Sequence, residues 1–152
     1  MKKILLLTIM LLLNLSSTCF AIDLDELRWV KVYETDTDKC YIDTESVNFD
    51  DNLKRIFKCN KKHRYVSVWF YDYSLEFAEY RYMLSFVHWD LDCKKYKFDE
   101  ILAYREDDTL YDKEDYSSTK PSRVIPNSLA EQKFKAVEYL YNIEKISKKI
   151  KN

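Results

Sequence analysis

Apolar and polar positions alternate with a period of two through most of the chain beyond residue 28, the signature of strands with two distinct faces. In "WVKVY" at 29–33, Val30 and Val32 share one face, and Trp29, Lys31 and Tyr33 take the other. The "TDTD" of 35–38 reads as a turn, and "CYID" at 40–43 begins a second strand. After "NFDDN" the pattern resumes in "LKRIFKC" at 53–59 and in "YVSVWFYDY" at 65–73, where Val66, Val68 and Phe70 oppose Tyr65, Trp69, Tyr71 and Tyr73. Apolar or aromatic residues on both sides of that segment predict a strand covered on both faces. The following "SLEFAE", 74–79, reads as a helical turn.

A long strand is predicted from Tyr80 to Cys93, with Ser85, Val87, Trp89, Leu91 and Cys93 on one side and His88, Asp90 and Asp92 on the other. Lys94 and Lys95 reverse it into "YKFDEILAYRE", and Asp107 and Asp108 reverse that into "TLYDKED". The period then changes to that of a helix. Beyond Pro121 and "VIPNS", the segment "SLAEQKFKAVEYLYNIEKISKKI" sets Ala130, Phe134, Val137 and Tyr141 on one stripe. Ser128 with Glu131 makes a capping box, Pro126 blocks an earlier start, and Lys145, Lys148 and Lys149 suit the negative end of the dipole. The pattern predicts an α+β domain: a curved antiparallel sheet of about six strands with one C-terminal amphipathic helix packed on it. One helix cannot cover both faces, so the sheet is expected to curl toward a half-barrel or to offer its second face to a partner, a homodimer included.

The first residues follow a different rule. "MKKILLLTIMLLLNLSSTCFA" has two lysines, an apolar run broken only by Thr8, and small residues Cys19 and Ala21 three and one positions before a cleavage point. That is a secretory signal peptide, too short in its apolar run for the roughly 20 residues that cross a bilayer. Cleavage after Ala21 leaves residues 22–152 as a single domain, with 143–152 a lysine-rich helix end or tail. Ser16 and Thr18 fit poorly with the alternative, a lipoprotein cut before Cys19. The chain is therefore expected to be exported, to the periplasm or outer surface of a bacterium, with no integral membrane segment after cleavage.

Without Lys2 and Lys3, 23 Lys and Arg stand against 26 Asp and Glu, so no bulk attraction to nucleic acid is expected. Three cysteines remain, Cys40, Cys59 and Cys93, which allows one internal disulfide in any of three pairings. Cys40 and Cys59 flank the "NFDDN" turn on two predicted strands and are the expected pair, leaving Cys93 a buried thiol beside Trp89 and Leu91. No C-x-x-C pair indicates a zinc ribbon or a thioredoxin-like site.

Candidate chemistry is sparse. Asp43-Thr44-Glu45-Ser46 lacks the Asp-Thr-Gly repeat of an aspartic protease, and its side chains suit a turn that satisfies its own backbone. His88, Asp90 and Asp92 alternate along one strand, where about 6.6 Å separates neighbours, so a solvated face explains them better than a shared ion. His63 and His88 are the only histidines, no nucleophile elbow is present, and a chain without glycine has no phosphate cradle. No catalytic residue, cofactor or metal is expected, and an enzyme is disfavoured. Lys58, Lys61, Lys62 and Arg64 form a basic cluster fit to meet a protein or an acidic polysaccharide.

Trp29 opening the first strand, "YID" with Thr44 and Ser46 closing the second, "LDC" ending a long strand and "IPNS" before the last helix occur in this order. Together these motifs resemble the bacterial surface-adhesin protein E family, over roughly Trp29 to Tyr141. The resemblance implies a small exported domain of antiparallel sheet and C-terminal helix. It also implies a non-enzymatic binding role toward host or extracellular macromolecules, with the Tyr-Ile-Asp-Thr motif structural. A periplasmic accessory or inhibitor domain that binds another exported protein is the competing reading. The chain departs from the family at "YLY", 139–141, where members often carry a cysteine, and at Asp107-Asp108, where they tend to have glycine.

Overall fold

The computed structural model describes residues 28–59, 61–76 and 79–150. The predicted leader and its cleavage point lie outside these residues. Seven strands form one curved, open antiparallel sheet: β1 (Trp29–Glu34), β2 (Asp38–Asp43), β3 (Tyr65–Ser74), β4 (Tyr82–Asp90), β5 (Lys95–Tyr104), β6 (Leu110–Asp115) and β7 (Ser122–Arg123). The first six follow one another as a meander, while β7 pairs with the start of β5 at Lys95 and Tyr96. A single helix, α1 (Leu129–Ile150), follows. The α+β layout read from periodicity is the observed one, with β7 added.

Alternation places the core. Cys40 and Ile42 of β2, Val66, Val68 and Phe70 of β3, and Val87 and Trp89 of β4 pack with Leu91 on the face covered by Phe134 and Val137 of α1. Phe134 stands 6.1 Å, centroid to centroid, from Trp89, and Tyr141 meets Phe49 edge-on at 5.3 Å. Truncating Phe134 to Ala is expected to cost about 3–5 kcal/mol, the sum of lost transfer energy and the cavity left behind. The helix start is built as its sequence suggests: the Glu131 N–H donates to Ser128 Oγ at 3.2 Å, and Glu131 Oε2 accepts from the Asn127 N–H at 2.9 Å.

Two elements differ from the reading of the pattern. Residues of "LKRIFKC" form no strand: Asp51–Arg55 is a 3₁₀ turn, capped by Asp50, whose carboxylate accepts from the Asn52 N–H at 2.8 Å. This turn brings Leu53 and Phe57 against Tyr65, covering the lower end of the face opposite the helix. The long strand also stops at Asp90, because that carboxylate takes the backbone N–H groups of Asp92 (3.2 Å) and Cys93 (2.9 Å) and turns the chain. Without glycine, left-handed turn positions fall to Lys58 (φ 51°), Lys94 (φ 49°), Asp108 (φ 60°) and Asn127 (φ 60°).

Candidate functional site

The motif at the end of β2 is a closed structural unit. Asp43, buried, accepts from Arg28 Nε (3.1 Å) and Nη2 (2.8 Å) and caps a 3₁₀ turn through the Glu45 N–H (3.1 Å). The Thr44 hydroxyl donates to the Arg28 carbonyl at 2.8 Å. Ser46 Oγ donates to the Asp43 carbonyl and accepts from the Trp69 N–H. Each of these hydrogen-bonding groups serves the backbone or a neighbour.

His88, Asp90 and Asp92 take three separate partners. His88 is buried, with Nδ1 2.8 Å from Ser67 Oγ and Nε2 3.7 Å from Asp99, and its desolvation holds it below the usual histidine value. Asp92 accepts from the Arg64 N–H (2.7 Å) and Nε (2.8 Å). Asp90 instead faces His63, whose Nδ1 lies 3.0 Å from Asp90 Oδ2.

The cysteines are distributed differently from expectation. Cys40 pairs in the sheet with Asp72 and lies under α1, whereas Cys59 lies at the other end of β3, beside His63 and Tyr65. Asp72 and Tyr65 are seven residues apart on one strand, about 23 Å at the usual rise, so Cys40 and Cys59 cannot bridge. Their sulfurs are unbonded. Cys93 is exposed in the turn after β4 rather than buried, with Sγ 3.6 Å from the same His63 Nδ1 that Cys59 Sγ approaches to 3.4 Å. Cys59, His63, Asp90 and Cys93 thus converge at one end of β3 and β4. The signal in the sequence was a C-x-x-x-H and a D-x-x-C, thirty residues apart.

The basic cluster is split. Lys58, Lys61 and Lys62 are exposed, but Arg64 is committed to Asp92 and, at 3.5 Å, to Glu138 of α1.

The sheet face away from α1 carries a row of rings across five strands. Trp29 of β1 and Tyr41 of β2 meet Tyr71 of β3 at centroid distances of 6.2 and 6.0 Å. Tyr71 stacks on Tyr82 of β4 at 4.9 Å, and Tyr82 on Tyr104 of β5 at 5.0 Å. Trp69 and Phe86 form a second stack alongside at 5.0 Å. Tyr41, Trp69, Tyr71, Phe86 and Tyr104 remain half-buried, while Trp29 and Tyr82 are buried by their neighbours. Burial pushes the Tyr71 hydroxyl up to about 12, so the row stays uncharged across the neutral range. With these surfaces in view, no protein-family model, curated protein or solved structure matches the chain.

Proposed function

We propose that the chain is an exported, non-enzymatic binding module whose contact surface is the aromatic face of the sheet. The observation that carries this is the ring row from Trp29 through Tyr41, Tyr71 and Tyr82 to Tyr104, on the face that α1 does not cover. Rings packed edge-on and stacked against one another present apolar area at little entropic cost and already hold their geometry before a ligand arrives. The motif order shared with the surface-adhesin protein E family supports a partner among extracellular macromolecules, a protein or an acidic polysaccharide. The engagement of Arg64 by two carboxylates leaves the basic cluster with three lysines, a weaker focus than the run of charges suggested.

The test compares binding to a panel of matrix proteins and sulfated glycans. Trp69→Ala and Tyr104→Ala are expected to weaken binding about 30-fold each, as for a buried interface aromatic worth about 2 kcal/mol, with little dependence on salt. Loss of binding in Lys61→Glu/Lys62→Glu, and its decline with salt, would instead assign the contact to the basic cluster. Protease shaving of intact cells separates a surface adhesin, which is released, from a periplasmic accessory domain, which is spared.

A second reading, self-association, is favoured by a groove of about 580 Å³ between β1 and α1. Its walls include Val30, Tyr139 and Ile143, all exposed. Sedimentation at increasing concentration, repeated with Ile143→Lys, tests it: a monomer throughout removes the dimer.

A further inference from the structure

Cys59 and His63 come from the loop before β3, and Asp90 and Cys93 from the end of β4 and the turn after it, yet all four meet around one ring nitrogen, His63 Nδ1. The candidate ligand atoms of Cys59, His63 and Asp90 all lie within 4.8 Å of one another. The separations around His63 Nδ1 are 3.4 Å to Cys59 Sγ, 3.0 Å to Asp90 Oδ2 and 3.6 Å to Cys93 Sγ. A tetrahedral zinc ion with arms of about 2.0–2.3 Å has edges of about 3.3–3.8 Å. Two sulfurs and a carboxylate thus crowd a ring nitrogen that forms one linear hydrogen bond at a time. We propose that these four residues form a transition-metal site of the zinc type, with Cys93 closing the fourth corner.

Three further observations point the same way. Asp90 is only 1 % exposed, and a buried carboxylate calls for a cation or a metal. Its Oδ1 is held by the N–H groups of Asp92 and Cys93, which fixes the carboxylate with its oxygens 3.1 and 3.0 Å from His63 Nδ1, as an outer shell fixes a ligand. The Tyr65 hydroxyl, in a side chain 3 % exposed, lies beside Cys59 without reaching hydrogen-bond geometry and has no partner among the described residues. A metal-bound thiolate would give it an acceptor. Both cysteines, finally, adjoin lysines in the left-handed region, Lys58 before Cys59 and Lys94 after Cys93, at a cost of about 1–2 kcal/mol each in residues that do not favour it. Strain of this kind persists where the surroundings over-determine the turn.

An open groove of about 450 Å³ beside His63, Lys62, Arg64 and Asp92 provides an entry path. Two thiolates, a neutral imidazole and a carboxylate are the softness that selects zinc or cobalt over magnesium or calcium. The bound ion would fasten the 3₁₀ segment to the β4–β5 turn.

The test uses the full mature chain, reduced, freed of metal with a chelator, and titrated with Co²⁺ and then Zn²⁺. One equivalent of Co²⁺ is expected to produce intense tetrahedral d–d bands with thiolate-to-cobalt charge transfer, displaced by Zn²⁺, and Zn²⁺ is expected to raise the melting temperature. Cys93→Ser, at an exposed position, and His63→Gln are expected to weaken Zn²⁺ by about 100-fold or more, beyond the 10–100-fold typical of outer-shell changes. Cys40→Ala is expected to leave uptake unchanged. Absence of cobalt bands together with an unmoved melting temperature in the reduced protein overturns the site. So does charge transfer that survives Cys93→Ser and His63→Gln alike. A Cys59–Cys93 disulfide in protein recovered without reductant, followed by no metal uptake after reduction, assigns the pair to a covalent staple instead.

Discussion

Lys133 Nζ donates to Asp72 Oδ2 at 2.7 Å, joining α1 to β3 inside the layer between helix and sheet. Both side chains are 12 % exposed, the ammonium lies 4.9 Å over the Phe70 ring, and Ser85 Oγ donates to the same Asp72 oxygen. Burial alone favours neutral lysine, but the Asp72 carboxylate more than offsets it and holds the ammonium above its ordinary value. Removing one partner, as in Lys133→Met, is expected to cost about 3 kcal/mol, because it leaves a buried charge unpaired. Replacing both, Lys133→Met with Asp72→Leu, is expected to recover most of that loss. Urea denaturation of the three variants measures it, and a neutral Lys133→Met would show that the pair contributes nothing. The sign with pH follows from the raised value: the contribution is complete below about 10.4 and disappears as pH rises through the folded-state value.

His88 gives the opposite dependence. Desolvation between Ser67 and Phe86 lowers its value, partly opposed by Asp99, so the folded protein keeps it neutral at pH values where the unfolded chain protonates. Stability from this residue is present above about 6.5 and falls as pH drops from there toward the folded-state value, by at most about 1.4 kcal/mol per unit. Denaturation of the wild type and of His88→Gln between pH 7 and pH 5 measures the difference in slope. Parallel slopes would show that His88 protonates equally in both states.

The sheet was legible because alternation in "YVSVWFYDY" and "YMLSFVHWD" places each side chain on a face before any contact is known. The 3₁₀ segment was misread, although Leu53 and Phe57, four apart and both buried, carry a helical spacing inside an otherwise alternating run. The end of β4 was misread for a local reason: Asp90 captures the next turn's N–H groups with its side chain, and a strand pattern continued through Cys93 hides that competition. Putting Cys93 in the turn is what frees it to meet His63. The convergence of Cys59, His63, Asp90 and Cys93 depends on pairing between β3 and β4, a non-local fact that no window of the sequence contains.

The reactivity of Cys40 and Cys93 should follow their two environments. Cys40 is fully buried beside Asp72, and burial pushes its thiol well up, so it is expected to react with a disulfide reagent only when the protein unfolds. Cys93 is exposed, but partial desolvation by its neighbours and the Asp90 carboxylate raise its value, so its reaction is expected to be slow at neutral pH and to accelerate as pH rises. Timed labelling followed by peptide mapping reads both rates. Fast labelling of Cys40 in the native protein would mean that α1 opens readily from the sheet.

The turn after β2 yields a prediction that separates structure from chemistry. Asp43 is 2 % exposed and bound to Arg28 through two hydrogen bonds and to the Glu45 N–H through a third, whereas Glu45 projects into solvent. Asp43→Ala removes the cap and the ion pair together and is expected to cost about 2–3 kcal/mol. Asp43→Asn keeps an acceptor for the Glu45 N–H and loses the charge, so about 1 kcal/mol is expected. Glu45→Gln lies at the surface and is expected to stay within about 0.5 kcal/mol of the wild type. The carboxylate of Asp43 and the backbone it holds are what a turn requires, and Glu45 is dispensable to that purpose. A paired catalytic arrangement would require both carboxylates. Thermal melts of the three variants, read beside binding to the panel of matrix proteins and glycans, decide the matter: a Glu45→Gln protein that folds normally but loses binding would move this turn from the scaffold to the contact surface.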